Sequence, residues 1–319
     1  MGLSLSVYIE ELHQRSDLIW PIPPEPVALK ATPYLKPLTD IRLVTWSIYG
    51  TLLHVGHGRL LHQHPQEIRM QIALEKTISE FNMWYSMTRR QGQPWEGLKI
   101  LYDRFYQDLE MVSSKHKGDY PEVDSSKIWM KIIEKLQLKE YSYDVDKYGD
   151  EAHLAMKIAY FFHANLQGAR AVANSRETLA ALTLAGIRQG LLSDAQVFSV
   201  PQLGFHLQEQ LPFVSMAEVL AADFFFLSSQ EKVRKPSISL YQHARDAIKK
   251  HGISPDQVLH VSHRLQDDLA VAKKFGFRTA LFAADKSSCD ITPEDVRDPA
   301  LRPDRLITEI RQIRDIVQV

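Results

Sequence analysis

A chain of 319 residues that is 45% hydrophobic and 24% charged holds apolar material for one large core and a smaller one, so two compact units are expected. Lys+Arg 38 against Asp+Glu 39 leaves a net charge of -1, which argues against nucleic acid or an anionic membrane surface as a partner. The sequence shows no apolar run of about 18 residues to span a bilayer and no basic-then-apolar leader, and its lone Cys289 has no intrachain disulfide partner; the cytoplasm is the expected setting.

Residues 1–40 read as an extension before the first core strand. Tyr8, Ile9 and Leu12 have helical spacing, and five prolines between Pro21 and Pro33 then impose an extended path. Such a segment either straps the body, anchored by Trp20 and Tyr34, or offers a Pro-rich ligand to a protein partner. An apolar strand follows in Leu43-Val44-Thr45-Trp46 and runs through Ser47-Ile48-Tyr49 into a Gly50-Thr51 turn. From about 57 to 163 the period becomes helical. Ile68, Ile72, Ile78 and Phe81 mark one helix, and Trp95, Leu98, Tyr102, Phe105 and Leu109 a second. Ser125-Ser126 is the expected cap of a third, with the stripe Ile128, Trp129, Ile132, Ile133 and Leu136; Leu154, Ile158, Phe161 and Phe162 mark a fourth.

Strands and helices then alternate. A helix is expected over 176–185, closed by Gly186, then a strand over 190–193 and another over 224–227. A helix over 238–250, a strand over 258–261, a helix over 267–275, a strand over 279–282 and a last helix over 306–317 complete the chain. This order implies an α/β fold, a Rossmann-like parallel sheet covered on both faces, with an all-α cap inserted after the first strand. The expected division is 1–40 for the extension, 41–56 and 164–319 for the core, and 57–163 for the cap.

Ligands of such sheets bind beyond the carboxyl ends of the strands, so the residues leaving each strand are the candidates. They are Ser47, Ser193, Lys235 in Val233-Arg234-Lys235-Pro236, and the segment Ser262-His263-Arg264-Leu265-Gln266-Asp267-Asp268. In order and spacing these four resemble the motifs of the haloacid dehalogenase (HAD) superfamily, in the subgroup with a helical cap between the first and second motifs. The resemblance covers residues 41 to about 317.

The resemblance implies an aspartate nucleophile where Ser47 stands and a metal-binding aspartate where His263 stands. It implies an acid/base at Tyr49, where the family's phosphatases have a second aspartate; a phenol with an ordinary pKa near 10 shuttles protons poorly at neutral pH. Asp268, with Asp267 beside it, is what remains of the metal site, so Mg²⁺ is expected only if this degenerate set still binds it. Ser193 and Lys235 match the family's phosphate-binding hydroxyl and lysine, and Thr51 lies in the turn whose backbone N–H groups face the same point. A small anionic ligand is therefore expected, opposed by Asp194 beside Ser193; alternatively Lys235 forms an internal salt bridge to Asp268. Ser47, His263 and Asp268 could also build a Ser-His-Asp relay. Three functions follow: a hydrolase-like protein with impaired catalysis that serves as a binding or regulatory module, a hydrolase of phosphatase or esterase type, and a structural partner or homo-oligomer using the arm and cap.

Overall fold

The computed structural model describes residues 2–87, 91–116, 120–213, 215–289 and 291–319. The chain divides into a helical unit, residues 1–22, 60–168 and 196–205, and an α/β unit, residues 23–59, 169–195 and 206–319. No helix among the described residues is long and apolar enough to cross a membrane.

In the helical unit, helices Glu67–Glu80, Pro94–His116, Ser125–Gln137 and Glu151–Leu166 bury Leu74, Leu98, Tyr102, Trp129, Ile132 and Phe162 in one core. The third helix is capped one residue earlier than expected. Asp124 accepts from Ser126 N at 3.0 Å, while Ser125 turns inward, its hydroxyl 2.8 Å from His163 Nε2. A first helix, Leu5–Gln14, lays Tyr8, Ile9 and Leu12 into the same core, and Trp20 packs on it, stacked on His13. Phe198 and Phe205 belong to this core as well, which is why residues 196–205 count with the helices.

The α/β unit is built on strands β1 (Leu43–Trp46), β2 (Leu53–Val55), β3 (Ala169–Ala171), β4 (Arg188–Ser193), β5 (Phe225–Leu227), β6 (Val258–Ser262), β7 (Arg278–Phe282) and β8 (Arg305–Ile307). Six of them form a parallel sheet in the order β5-β4-β1-β6-β7-β8, and β2 and β3, far apart in sequence, pair as a separate antiparallel two-stranded sheet. β1 reads Leu-Val-Thr-Trp with every residue buried, as a central parallel strand covered on both faces should. Trp46 pairs with Leu191 on one side and Val261 on the other, so the residues leaving β1, β4 and β6 emerge at one edge.

Two expectations are corrected and a third is refined. The first is the single extension over 1–40: residues 1–22 belong to the helical unit, and residues 23–40 run along the α/β unit. Tyr34 forms an antiparallel bridge to Leu306, and Arg305 donates to the carbonyls of Lys36 and Pro37. This strap covers β8, an edge strand with an otherwise unpaired backbone. The second is the helix over 306–317. Leu306 and Ile307 lie in β8, and only after the Glu309-Gln312 capping box does the chain turn, through 310–312, into helix Ile313–Val317. Edge pairing overrides a stripe that also fits a helix. The third is the helix over 267–275, which opens with a wide π turn, Leu265–Leu269, before the α-helix Ala270–Lys274. Such turns re-aim side chains at sites, and this one turns Asp268 inward.

Trp129 is fully buried among Tyr102 and Phe162. Trp129→Ala is expected to destabilise the helical unit by about 3–5 kcal/mol in urea denaturation, the range for emptying a core aromatic site.

Candidate functional site

β1 delivers Ser47 into a tight turn in which Thr51, Leu52 and Leu53 all donate to Ile48 O, and Gly50 takes φ +74°. β4 delivers Ser193, whose hydroxyl accepts from Ile48 N at 2.9 Å and donates to Asp194 O at 2.8 Å. Asp194 Oδ1 in turn accepts from Lys235 N at 2.7 Å and fixes the loop that presents the lysine.

The side chains close on one another. Lys235 Nζ donates to Ser47 Oγ and Leu192 O, each at 2.7 Å, and to Asp268 Oδ2 at 2.5 Å. An ammonium has three N–H groups, and all three are used. Asp268 Oδ2 also accepts from Ser47 Oγ at 3.0 Å, and Oδ1 accepts from Tyr241 OH and His260 Nε2, both at 2.8 Å. About four hydrogen bonds fill a carboxylate, so Asp268 has nothing left to offer. Asp268 and His260 are fully buried, and Lys235 and Ser47 nearly so.

Burial opposes charge on all these groups, and it lowers the Lys235 ammonium and keeps His260 below its ordinary value. For Asp268 burial is overcome by the charge of Lys235 and the approach of His260, and its carboxyl lies well below the usual range. Burial, with the Asp268 charge alongside, drives Tyr241 well above the ordinary phenol, so it remains a donor. His260 Nε2 faces Asp268, and its Nδ1 lies 3.0 Å from Thr45 Oγ1 and 3.2 Å from Thr45 O.

His263 stands apart from this network. Its Nδ1 is 3.4 Å from Thr51 Oγ1, and Nε2 has no hydrogen-bond partner. Its ring lies against Gly50 and Gly58, both at positive φ, where an added Cβ would come within 2.5 Å and 2.6 Å of ring atoms. Burial and the neighbouring Arg264 push the imidazole down to about 3, so it is neutral. The expected Ser47-His263-Asp268 relay is therefore not assembled: the imidazole on Asp268 is His260, and the group on Ser47 is Lys235. Asp267 is not beside Asp268 in function either, because Arg264 holds it at 2.9 Å and reaches Asp194 at 2.8 Å with its other nitrogen. Tyr49 is buried in the turn, bridged to Leu53.

These residues do not fit Mg²⁺. The metal needs hard oxygen ligands anchored by free carboxylates, whereas Asp268 is fully engaged and Lys235 Nζ lies against it. No cluster of three or more His, Cys, Asp or Glu suited to a metal occurs among the described residues. The residues expected to hold phosphate are likewise engaged: Lys235 and Ser193 as above, and Thr51 buried against His263.

Sequence reasoning missed His260 and Tyr241, and named Arg264 only as part of the segment after β6, with no role. His260 carried a signal, a polar residue in the apolar strand Val258-Leu259-His260-Val261. Tyr241 sits on the apolar face of helix Ile238–Lys250 and is indistinguishable from a core aromatic in sequence.

Comparison with known proteins agrees with this fold. Residues 232–313 match the HAD-hydrolase-like family. A 2-haloacid dehalogenase from Pseudomonas syringae pv. Tomato DC3000 superposes with a TM-score of 0.52 at 18% identity, over 87% of this chain and 98% of its own. The L-2-haloacid dehalogenase of Xanthobacter autotrophicus gives 0.42 at 16%, over 87% and 98%. A predicted phosphoglycolate phosphatase from Haemophilus somnus 129PT gives 0.43 at 13%, over 86% and 97%. No curated protein matches the chain in sequence.

Two outcomes are expected. Asp268→Asn leaves the Lys235 ammonium buried without its counter-charge and should cost about 3–5 kcal/mol in urea denaturation at pH 7, while Lys235→Met with Asp268→Asn should recover part of that loss. The folded His263 titrates at about 3 and an unfolded histidine at about 6.5, so its contribution is complete above pH 6.5 and is lost as pH falls toward 3. His263→Gln should remove about 2 kcal/mol of the stability difference between pH 7 and pH 5.

Proposed function

We propose that this chain, which has the haloacid dehalogenase-like fold and a HAD-hydrolase-like match over residues 232–313, does not perform hydrolysis at Ser47 and acts as a binding or regulatory module. One observation carries the reading: Ser47, Lys235, Asp268, His260 and Tyr241 satisfy one another in a buried network.

A serine nucleophile needs a base to take its proton. The hydroxyl of Ser47 already donates to Asp268, whose carboxyl lies so far below the usual range that it is a poor acceptor. Lys235 spends its three protons on three acceptors and cannot take another while charged. Catalysis would require the network to come apart, with a charge left unpaired in the interior. The reading calls for no cofactor. A single buried thiol, Cys289, which donates to His263 O, fits a reducing compartment, and we take the cytoplasm as the setting.

A phosphatase and esterase panel on the wild type and Ser47→Ala, with and without Mg²⁺, tests the proposal. Both proteins are expected to show the same background rate under all conditions. A wild-type turnover that Ser47→Ala abolishes overturns it; a rate insensitive to that change does not come from Ser47, since bound substrate and fixed donors alone leave about 10³–10⁴-fold over water.

A further inference from the structure

Beside the closed network, the α/β unit holds a cavity of about 400 Å³ at the carboxyl ends of β6, β7 and β8. His263, Phe282 and Thr308 mark those three strand ends in its wall; Gly50 and the paired strands β2 and β3 contribute another side, and Pro26 of the strap also lines it. This is the edge at which open parallel sheets take ligands, and the volume is that of a small-molecule site. It is displaced toward the sheet's β8 edge from Ser47 and Lys235, neither of which lines it.

The chemistry of the wall selects an occupant. Val172, Ala173, Ala284 and Ile310 make much of it apolar. Three charged side chains reach it, and each is already paired. Arg170 holds both carboxylate oxygens of Glu25, at 2.9 Å and 2.8 Å. Asp285 accepts from Val27 N, Ser287 N, Ser287 Oγ and Ser288 Oγ. Glu309 caps its own turn and accepts from Arg311 Nε. His54 Nε2 is bonded to Pro24 O at 2.6 Å. The other polar side chains of the wall, Asn174, Ser288, Thr308 and the uncharged ring of His263, carry no charge, and the His263 ring is held in a cradle that admits no Cβ at Gly50 or Gly58.

We propose that this cavity binds a small, uncharged, largely apolar molecule, packed within the wall to which His263 belongs. The site rejects phosphate and phosphorylated compounds because no wall cation is free to receive them. The inference does not depend on whether Ser47 turns over.

The probe is p-cresol, a small, uncharged and largely apolar molecule. The full-length protein, labelled with ¹⁵N at histidine, is titrated with p-cresol and separately with inorganic phosphate, the His263 signals being identified by their loss in His263→Gln. Saturable movement of the His263 ring signals by p-cresol, with a Kd on the order of 1–10 mM for so small a ligand, and none by phosphate, is the expected result. Ala284→Trp, which fills the cavity, should weaken the response at least tenfold; Ala173→Trp at the exposed rim is the second variant if the first does not fold. The proposal is overturned if p-cresol gives no saturable movement, if a folded cavity-filling variant responds as the wild type does, or if phosphate gives the stronger response.

Discussion

The buried ion pair between Lys235 and Asp268 is the interaction on which the carboxyl edge of this sheet depends. Each charge alone would be prohibitive in the interior, since an uncompensated ion costs several kcal/mol even after relaxation. Together, with Ser47, Leu192, His260 and Tyr241 supplying the remaining partners, they cost little and tie distant segments to one point. Lys235 comes from the loop after β5, Asp268 from the turn after β6, Ser47 from the end of β1, and Tyr241 from a covering helix. The pair is thus a fastening for the strand ends, and the π turn at Leu265–Leu269 is the distortion that lets Asp268 reach it.

The same edge holds a second arrangement of opposite character. The polar atoms bonded to Asp268 are satisfied; around His263 the packing is close but the hydrogen bonding is incomplete. Two glycines at positive φ make room for an imidazole that burial keeps uncharged. The His263 side chain also lines the cavity at the ends of β6, β7 and β8, whose wall is largely apolar. The order of the two features along the strand ends, network then cavity, separates the part of the edge built for stability from the part with space for a ligand.

The fold was legible in the sequence wherever a pattern had one physical solution. The run Leu43-Val44-Thr45-Trp46 before a Gly-Thr turn, and strands alternating with helices of matching length, leave little but a parallel sheet, and helix Ile238–Lys250 lies where its periodicity puts it. Leu306, Ile307, Ile310 and Ile313 satisfy a helical stripe and a strand-turn-helix equally well. What decided between them was an edge waiting for a partner, which lies in tertiary structure. At the site, spacing identified Ser47, Ser193, Lys235, His263 and Asp268 as neighbours of the strand ends but not which would touch. Both histidines, His260 and His263, lie within reach of the edge, and only the alternation of β6 decides that the first points at Asp268.

Charge arithmetic explains why such an edge can hold together without a metal. The resemblance places carboxylates at positions 47 and 263 in addition to Asp268, three negative charges against the single positive charge of the lysine. That set repels itself, and a divalent cation is the simplest neutraliser. With a hydroxyl at Ser47 and a neutral ring at His263, one carboxylate, Asp268, faces one ammonium, Lys235, and the charges of that pair cancel. Restoring a carboxylate at one position alone would set two acids against one lysine in a dry interior, where like charges cannot both stay ionised. Position 47 and position 263 are therefore coupled through the charge they share with Asp268, although the side chains now at those positions are not hydrogen-bonded to each other. A hydroxyl at position 47 together with a neutral ring at position 263 makes the buried edge electrostatically consistent.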